Sequence, residues 1–348
     1  TLDEFDTIET GNLCRANYSL FNLSLPKVDC LSNRLLSISP FVNIRIREFK
    51  MNCIPKAKLE RQLNKNFDFI FDCSTDSEVS LILDSLSFNG SIFSLGLTNK
   101  AKHLTCLNNE NISKETAILY DYLESEPASF FEGTGCGYPT FNANFNDINT
   151  VLNISIKKLN EHFNSKDTIN SFYIKNLSSA NSQIEIIEYV TFFQEDVKQN
   201  LLFPKHLFQK IESALLRHYP KEFGGIFIGY KSLQFQAIVI EDILFPDKYE
   251  NGEAKFVRHP KSLNERLDVL FKESNGKTEY IGEFHSHPNA PALPSEIDYK
   301  AMTIIAKASK VTTNTPILMI GKINDKELKK TRFFIYKDEK LNEYEQQG

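Results

Sequence analysis

The stretch at residues 280–298, Y-I-G-E-F-H-S-H-P-N-A-P-A-L-P-S-E-I-D, most constrains how this chain can fold. Its apolar start predicts a strand, in which His285 and His287 project to the same side because side chains alternate. A proline-rich loop then leads to Ser295, which is typical of a helix-capping residue. Asp298 falls in the first helical turn and can return as an oxygen ligand. Two imidazoles and one carboxylate leave a fourth tetrahedral position open, which is typical of a catalytic zinc site.

This pattern resembles the JAMM signature of MPN-type metalloproteases, H-x-H-P-x6-S-x-x-D, and matches it at every position. A second segment, P-K-E-F-G-G-I-F-I-G at residues 220–229, resembles P-x-E-x-G-G-x-L-x-G of the same proteins, with Phe227 in place of leucine. The resemblance implies that Glu222 takes a proton from water at the zinc and passes it to the leaving amine. It also implies that Ser295 hydrogen-bonds the oxyanion that develops on the scissile carbonyl.

Two other acids lie near the histidines and are alternatives to Glu222 as the base. Glu283 has the same strand parity as the histidines but falls inside the strand, and Glu296 follows the capping serine. Glu222 is preferred because it lies in the second matching segment; the simpler alternative is a solvated surface acid. His218 and His259 have no ligand spacing and are interpreted as structural or exposed.

Length and composition indicate two domains and exclude several classes of partner. The chain has 348 residues, 41% of them hydrophobic, and a net charge of −5. Two cores are possible at this length, and the charge gives no electrostatic reason to bind nucleic acid or anionic membrane. No signal peptide or membrane span is predicted. The six scattered cysteines form no C-x-x-C pair, so we expect a reducing cytoplasm.

The first half alternates predicted strands with predicted helices. The strands are expected at residues 42–49, 67–73 (buried) and 91–97, and the helices at 26–39, 57–65 and 76–86. This alternation predicts a doubly wound, mostly parallel α/β sheet whose ligands bind at the carboxyl ends of the strands. A polar segment at 108–135, a helix at 147–163 and a strand at 184–193 complete a first domain, residues 1–198. A helix at 205–218 opens a second domain, residues 199–348.

The segment E-F-D-T-I-E-T-G-N-L-C-R at residues 4–15 resembles D-x-D-x-V-x-x-x-N-L-x-R of ThiF/MoeB-type and ubiquitin-activating adenylating enzymes. The resemblance implies that Glu4 holds the ATP ribose and that Asn12 and Arg15 contact the phosphates. Two features of that family are missing: a glycine-rich loop before this segment, and an aspartate shortly before the family's conserved lysine.

Two further residues match the same enzymes. Lys27, in P-K-V, matches the lysine that neutralises phosphate charge, and Asp76, in D-C-S-T-D, matches the aspartate that holds magnesium and ATP. Each has a simpler alternative: Lys27 as a surface charge and Asp76 as a helix cap.

The position of Cys136, in G-C-G-Y-P-T-F, relative to the nucleotide residues resembles that of the catalytic cysteine in activating enzymes, which accepts the activated carboxyl group as a thioester. A cysteine among glycines on a loop is accessible to such a reaction. The alternative is an ordinary loop cysteine.

Together the resemblances imply a Rossmann-like ThiF-type domain followed by an α/β, cytidine-deaminase-like JAMM domain. The second would use Zn²⁺ to hydrolyse the bond after the carboxyl-terminal glycine of a ubiquitin-like modifier. The first would adenylate the same tail with Mg²⁺ and ATP and pass it to the cysteine, with a conjugating enzyme as a further partner. A homodimer through the adenylating domain is expected. Such fusions resemble bacterial ubiquitin-like systems, some in antiviral operons. Two alternatives remain open: sulfur-carrier activation and processing, and an adenylating domain kept only as a scaffold.

Overall fold

The computed structural model describes most of the chain. The described residues are 2–3, 6–13, 16–47, 51–74, 76–108, 111–124, 130–131, 140–141, 143, 145–165, 169–178, 183–308 and 313–347. They form two compact units, Thr1–Ile186 and Ile187–Gly348. This division lies inside a strand and precedes the boundary at 198/199 expected from the sequence, which stays a prediction. Among the described residues, no helix combines the length and the apolar character that crossing a membrane requires.

The first unit contains short strands, helices and one larger sheet. Its strands are β1 (Leu2–Asp3), β2 (Ile46–Arg47), β3 (Phe69–Asp72), β4 (Ser91–Thr98), β5 (His103–Leu107), β6 (Phe130–Phe131), β7 (Thr140–Phe141) and β8 (Phe172–Ser178). Its helices are α1 (Thr10–Leu13), α2 (Lys27–Ile38), α3 (Lys56–Asn66), α4 (Ser77–Ser85), α5 (Ile112–Leu123) and α6 (Phe145–Ser165). The helices expected at 26–39, 57–65, 76–86 and 147–163 are therefore confirmed, with small shifts at their ends.

The sheet of the first unit is mixed, so the expectation of a mostly parallel sheet is wrong for the described strands. β3 pairs with β4 in parallel, whereas β4 with β5 and β5 with β8 pair antiparallel. The reason is local: β4 turns directly into β5 through Asn99, Lys100 and Ala101, all with positive φ. A turn this short can join only antiparallel strands.

Two other expectations for this unit are wrong. The segment 108–135 was expected to be polar, but its described part contains the helix α5, which buries Ile118 and Leu119 completely. The strand expected to be buried at 67–73 is β3, in which Phe69 and Phe71 are 43% and 48% exposed. Of the strand expected at 42–49, residues 42–47 are described, and only Ile46–Arg47 form a strand, β2.

The second unit is built on a larger mixed sheet. Its strands are β9 (Gln183–Gln194, which begins in the first unit), β10 (Gln199–Pro204), β11 (Gly224–Ser232), β12 (Ala237–Leu244), β13 (Tyr249–Gly252), β14 (Lys255–Arg258), β15 (Glu279–Pro288), β16 (Ile317–Asn324), β17 (Glu327–Lys337), β18 (Lys340–Glu343) and β19 (Glu345–Gln346). Its helices are α7 (Lys205–His218), α8 (Pro260–Glu273) and α9 (Glu296–Lys307).

The large sheet of this unit returns on itself. Its strand order is β18-β17-β16-β15-β11-β12-β10-β9, and β19 pairs again with β9. β10 with β12 and β15 with β16 are parallel, and the other pairs are antiparallel. The hydroxyl of Tyr344, between β18 and β19, donates to Gln199 Oε1 at 2.8 Å. The last strand, β19, therefore pairs with β9, which is far from β18 in the strand order.

Helices cover this sheet on both faces because its strands bury apolar side chains on both sides. α7 packs Leu207, Ile211 and Leu215 into the main core, which includes Phe227 and Phe284. Separate buried clusters lie under the other two helices: α8 contributes Leu263 to a cluster with Ile226, Ile228 and Leu244, and α9 contributes Met302 to one with Leu318, Ile320 and Phe334. β15 lies in the interior of the sheet, between β11 and β16, and its side chains are held on a rigid element.

Candidate metal centre

Three side chains from β15 and α9 converge at the carboxyl end of β15. His285 Nε2 lies 3.0 Å from His287 Nε2 and 3.2 Å from Asp298 Oδ1. His287 Nε2 lies 3.7 Å from Asp298 Oδ2. The strand periodicity brings the two imidazoles to one side, and the start of α9 returns the carboxylate to them. In the described part of the chain, these residues are the one group of histidine, cysteine and acidic side chains close enough to hold a metal ion.

The spacing of these atoms fits a zinc ion. Ligands at 2.0–2.1 Å from a tetrahedral zinc lie about 3.3 Å from one another. The separations of 3.0 and 3.2 Å at His285 Nε2 are close to this length without any side-chain movement. Two imidazoles and one carboxylate are also the donor set of zinc sites that keep one position open. His285, His287 and Asp298 would therefore hold the ion.

Neighbouring groups orient two of these side chains. His287 Nδ1 lies 2.9 Å from the carbonyl oxygen of Pro291, so its Nδ1–H donates there and its Nε2 lone pair faces the other ligands. Ser295 caps α9 and forms a capping box with Asp298. The Ser295 N–H and hydroxyl donate to Asp298 Oδ2 at 2.6 and 2.7 Å. The cap of α9 thus also holds the carboxylate in place.

The electrostatics of these side chains follow from the contact between His285 and Asp298. Burial by itself would raise the pKa of Asp298, but the hydrogen bond and charge of His285, together with the Ser295 donors, lower it to about 2. Burial would lower the pKa of His285, but the hydrogen bond and charge of Asp298 outweigh it, and the pKa is raised. For His287, burial and the charge of His285 lower the pKa. Both the raised pKa of His285 and the lowered pKa of Asp298 favour the charged forms of these two side chains.

Glu222 lies two residues before Gly224, the first residue of β11, and Gly224 is paired with His285 of β15. Ser286, which is fully buried between the two histidines, accepts a hydrogen bond from Phe223 N–H at 3.1 Å and donates its own N–H to Phe223 O at 2.9 Å. The pKa of Glu222 is raised, mainly by burial and also by the charge of Asp298, while His285 partly opposes the shift. The carboxylate is therefore within electrostatic range of the ligands.

The two alternative acids, Glu283 and Glu296, lie in different surroundings. Glu283 accepts from Arg258 Nε at 3.0 Å and also from Arg258 Nη2 and the Tyr280 hydroxyl, all on Oε1. The Oε1 oxygen of Glu283 is therefore already engaged with three donors. Glu296 is the exposed first residue of α9. The geometry therefore favours Glu222 as the base, and its role stays a prediction.

His218 and His259, the other two histidines considered from the sequence, are not part of the metal centre. His218 Nδ1 lies 2.8 Å from Ala214 O, its Nε2 lies 3.0 Å from Tyr249 Oη, and its ring stacks on Phe223. His259 caps α8. Sequence reasoning missed Ser286 and Arg258. Ser286 could have been found from strand alternation, because it lies between the histidines and must face the core, whereas Arg258 carries no local signal.

The nucleotide residues expected in the first unit are only partly described. Asn12 is buried and its Oδ1 accepts from Glu9 N–H at 2.9 Å. Lys27 forms an ion pair with Asp6 at 2.9 Å, and Asp76 caps α4 by accepting from Glu78 N–H at 2.8 Å. These contacts are the simpler alternatives considered for Lys27 and Asp76. The remaining candidates lie outside the described residues: Glu4, Arg15 and Cys136.

Comparison with known proteins shows which family the second unit is similar to. Residues 204–331 match the family described as prokaryotic homologs of the JAB domain. The chain is 33% identical over 122 residues to a "CD-NTase/cGAS isopeptidase" of Escherichia coli (strain TW11681), covering 33% of this chain and 74% of that protein. It is 29% identical over 135 residues to a protein of the same name from Enterobacter hormaechei subsp. hoffmannii (strain UCI 50), covering 38% and 73%.

A third relative is the "Probable TtuB-protein conjugate cleaving protease" of Thermus thermophilus, 29% identical over 100 residues, which are 29% of this chain and 62% of that protein. All three alignments are far shorter than this chain. The region that matches the family model, residues 204–331, contains α7, β11 and both elements of the metal centre. On this evidence the chain belongs to the family of prokaryotic JAB-domain proteins.

Proposed function

We propose that the second unit is a zinc-dependent isopeptidase that cleaves the bond after the carboxyl-terminal glycine of a ubiquitin-like protein. The observation that carries the proposal is the convergence of His285, His287 and Asp298 beside a half-buried Glu222. The names of the relatives, which refer to an isopeptidase and to cleavage of a protein conjugate, supply the substrate class.

The protein's own groups divide the reaction between them. When bound, zinc polarises the scissile carbonyl and makes water acidic enough to react near neutral pH. Glu222 accepts the proton of the attacking water and returns it to the leaving amine. Its raised pKa suits both transfers, because a group that titrates closer to neutrality both takes and releases protons readily.

Ser295 has two candidate roles, and both of them require the proton of its hydroxyl group. Its hydroxyl donates to Asp298 Oδ2 at 2.7 Å and orients that ligand. To stabilise the oxyanion of the substrate, the same hydroxyl would have to turn away from the carboxylate, whose Oδ2 keeps the Ser295 N–H at 2.6 Å. We propose that it does so when substrate is bound.

The test is cleavage of a fusion in which a ubiquitin-like protein ending in Gly-Gly precedes a short peptide. We expect one cut, directly after the second glycine, located by mass spectrometry, and its loss on treatment with a zinc chelator. Restored cleavage on adding zinc back would complete the evidence. Cleavage at other bonds, or cleavage that survives metal removal, would contradict the proposal.

For the first unit we propose adenylation of the same glycine tail with Mg²⁺ and ATP, followed by transfer to Cys136. The support is the match of Lys27 and Asp76, which lie at the start of α2 and α4, to residues of adenylating enzymes. ATP–pyrophosphate exchange by the full chain is the test: Lys27→Ala should reduce it, and Cys136→Ala should leave it intact while abolishing a thiol-labile adduct. Absence of exchange in the wild-type protein would contradict the proposal.

A further inference from the structure

The hairpin of β13 and β14 lies apart from the large sheet. In the described residues it is a two-stranded sheet that pairs Tyr249 with Arg258 and Gly252 with Lys255. A two-stranded hairpin is marginally stable in water by itself. Its position therefore depends on contacts with the rest of the second unit.

The first of these contacts is with the segment that carries the candidate base. The N–H of Glu222 donates to the carbonyl oxygen of Gly252, the last residue of β13, at 2.7 Å. The ring of Phe223 packs edge-on against Tyr249 and Phe256, with centroid distances of 5.0 and 5.6 Å. The hairpin and the backbone of Glu222 are thus held together by a hydrogen bond and an aromatic cluster.

The second contact is with the strand that carries the histidines. Arg258, the last residue of β14, donates from Nε to Glu283 Oε1 at 3.0 Å and from Nη2 to the same oxygen. Both side chains are only 20% exposed. Charge-assisted hydrogen bonds away from bulk water are stronger than exposed ones. Glu283 lies on β15, two residues before His285, so this ion pair ties the hairpin to the ligand-bearing strand.

We infer that Arg258 is a positioning residue of the metal centre. Its ion pair with Glu283 holds the β13–β14 hairpin against β15, and the hairpin in turn holds the backbone of Glu222 relative to the ligands on that strand. The inference rests on the proposed function, in which Glu222 is the base. A purely structural ion pair would contribute to stability without affecting the geometry at Glu222, and this difference can be measured.

The hairpin offers a matched control. Lys255 and Glu250 form an ion pair at 3.1 Å within the same two strands, but their side chains are 64% and 62% exposed. Exposed pairs of this kind contribute little. Lys255→Met therefore removes a positive charge from the same hairpin without removing its attachment to β15.

The first measurement is amide hydrogen exchange of the full, zinc-loaded chain, because it does not depend on a substrate. In Arg258→Met we expect exchange at the Glu222 amide and in the hairpin to be faster by about tenfold or more, while Lys255→Met stays at the wild-type rate. Zinc content should be the same in all three proteins. Wild-type exchange at Glu222 in Arg258→Met would overturn the inference.

The second measurement is hydrolysis of a tetrapeptide ending in Gly-Gly-aminocoumarin. We expect Arg258→Met to lower kcat about 10- to 100-fold, because a misplaced Glu222 takes the proton of water less efficiently, with KM nearly unchanged. Glu283→Gln should have a similar effect, and the double variant should be no worse than the poorer single variant, because both changes remove one contact. Losses that multiply in the double variant would overturn the inference.

The two proposals fail in different ways. If the wild-type protein does not cut after the second glycine but hydrogen exchange responds to Arg258→Met, the function is wrong and the attachment of the hairpin stands. If the wild type cuts and Arg258→Met has wild-type kcat, the inference is wrong and the function stands. Should Arg258→Met fail to fold, Arg258→Lys replaces it: it keeps the charge but not the fork of donors, and we expect an intermediate exchange rate and kcat.

Discussion

At the scale of single residues, replacement of Glu222 should lower the rate of cleavage without changing the zinc content, because Glu222 is not a ligand. We predict that Glu222→Gln lowers kcat for cleavage of the ubiquitin-like fusion about 100- to 10,000-fold, the usual contribution of a general acid–base group. Glutamine has nearly the same size, and Glu222 is not a ligand, so zinc content should be unchanged. Steady-state kinetics together with metal analysis measure both quantities.

Glu296→Gln is the control for this prediction. Glu296 is an exposed acid two residues before the ligand Asp298, so the variant removes a similar charge at a similar place. It should have wild-type kcat. An unchanged rate in Glu222→Gln, or an equal loss in Glu296→Gln, would remove Glu222 from the mechanism.

A second prediction at this scale concerns metal removal. In zinc-free protein the folded pKa of Asp298 is lowered to about 2, so its contribution to stability is present above its unfolded value near 4 and is lost as pH falls towards 2. The folded pKa of His285 is raised by Asp298, so its contribution is present below the unfolded value near 6.5 and is lost as pH rises through the folded value.

We therefore expect the ion pair to stabilise the zinc-free protein most between about pH 4 and pH 6.5. Urea unfolding in the presence of a chelator, followed as a function of pH, should show a smaller stability maximum in Asp298→Asn than in the wild type. Equal pH profiles for the two proteins would contradict the assignment of the pair. Zinc loading should add stability that depends on the metal concentration.

At the scale of elements, the close pairing of β11 with β15 depends on glycine at Gly224. A Cβ atom there would lie 2.0 Å from the carbonyl oxygen of Phe284 and 2.9 Å from His285 Cα, so the two strands would have to separate. We predict that Gly224→Ala lowers the free energy of unfolding by about 1–3 kcal/mol, as overpacking does. Zinc affinity should also fall, because the displaced backbone carries a ligand.

Gly252→Ala is the matched control for stability. A Cβ atom at Gly252 would meet its nearest heavy atom, Lys255 Cβ, at 4.0 Å, which is an ordinary contact. Chemical unfolding of both variants tests the prediction. Equal stability of Gly224→Ala and the wild-type protein would show that the two strands can separate without cost.

At the scale of the whole molecule, the division into two compact units predicts which fragment of the second unit folds by itself. A fragment of residues 187–348 retains the paired part of β9, including Tyr189 and Phe192, which are 2% and 8% exposed. A fragment of residues 199–348 loses that strand, and with it one of the two partners of β10 and the partner of β19. We expect the longer fragment to fold and bind zinc. The shorter one should be less stable by at least about 3 kcal/mol, the cost of deleting one buried aromatic side chain.

Thermal unfolding and zinc analysis of the two fragments decide between the boundary at 186/187 and the one expected at 198/199. The shorter fragment should also aggregate, because removal of β9 leaves an unpaired strand edge. Equal stability of the two fragments would favour the later boundary. The same comparison shows whether the metal centre forms without the first unit.

The sequence by itself determined the features of this protein that depend on local periodicity. Alternation along a strand places His285 and His287 together, and the capping box of Ser295 returns Asp298 to them within one helical turn. The spacing of apolar residues also predicted α7. The helix α5 was missed at this level, because its polar surroundings concealed the apolar spacing of Ile112, Ile118 and Leu119.

Only the tertiary structure decided the contacts between distant segments. Pairing of β11 with β15 brings Glu222 near the ligands, and Arg258 reaches Glu283 from a separate hairpin. The direction of β5 depends on the short turn at Asn99, which the helix–strand alternation does not reveal. The physical reason is the same in each case: periodicity and capping act between residues a few positions apart, whereas strand pairing and ion pairs join residues whose separation along the chain leaves no pattern.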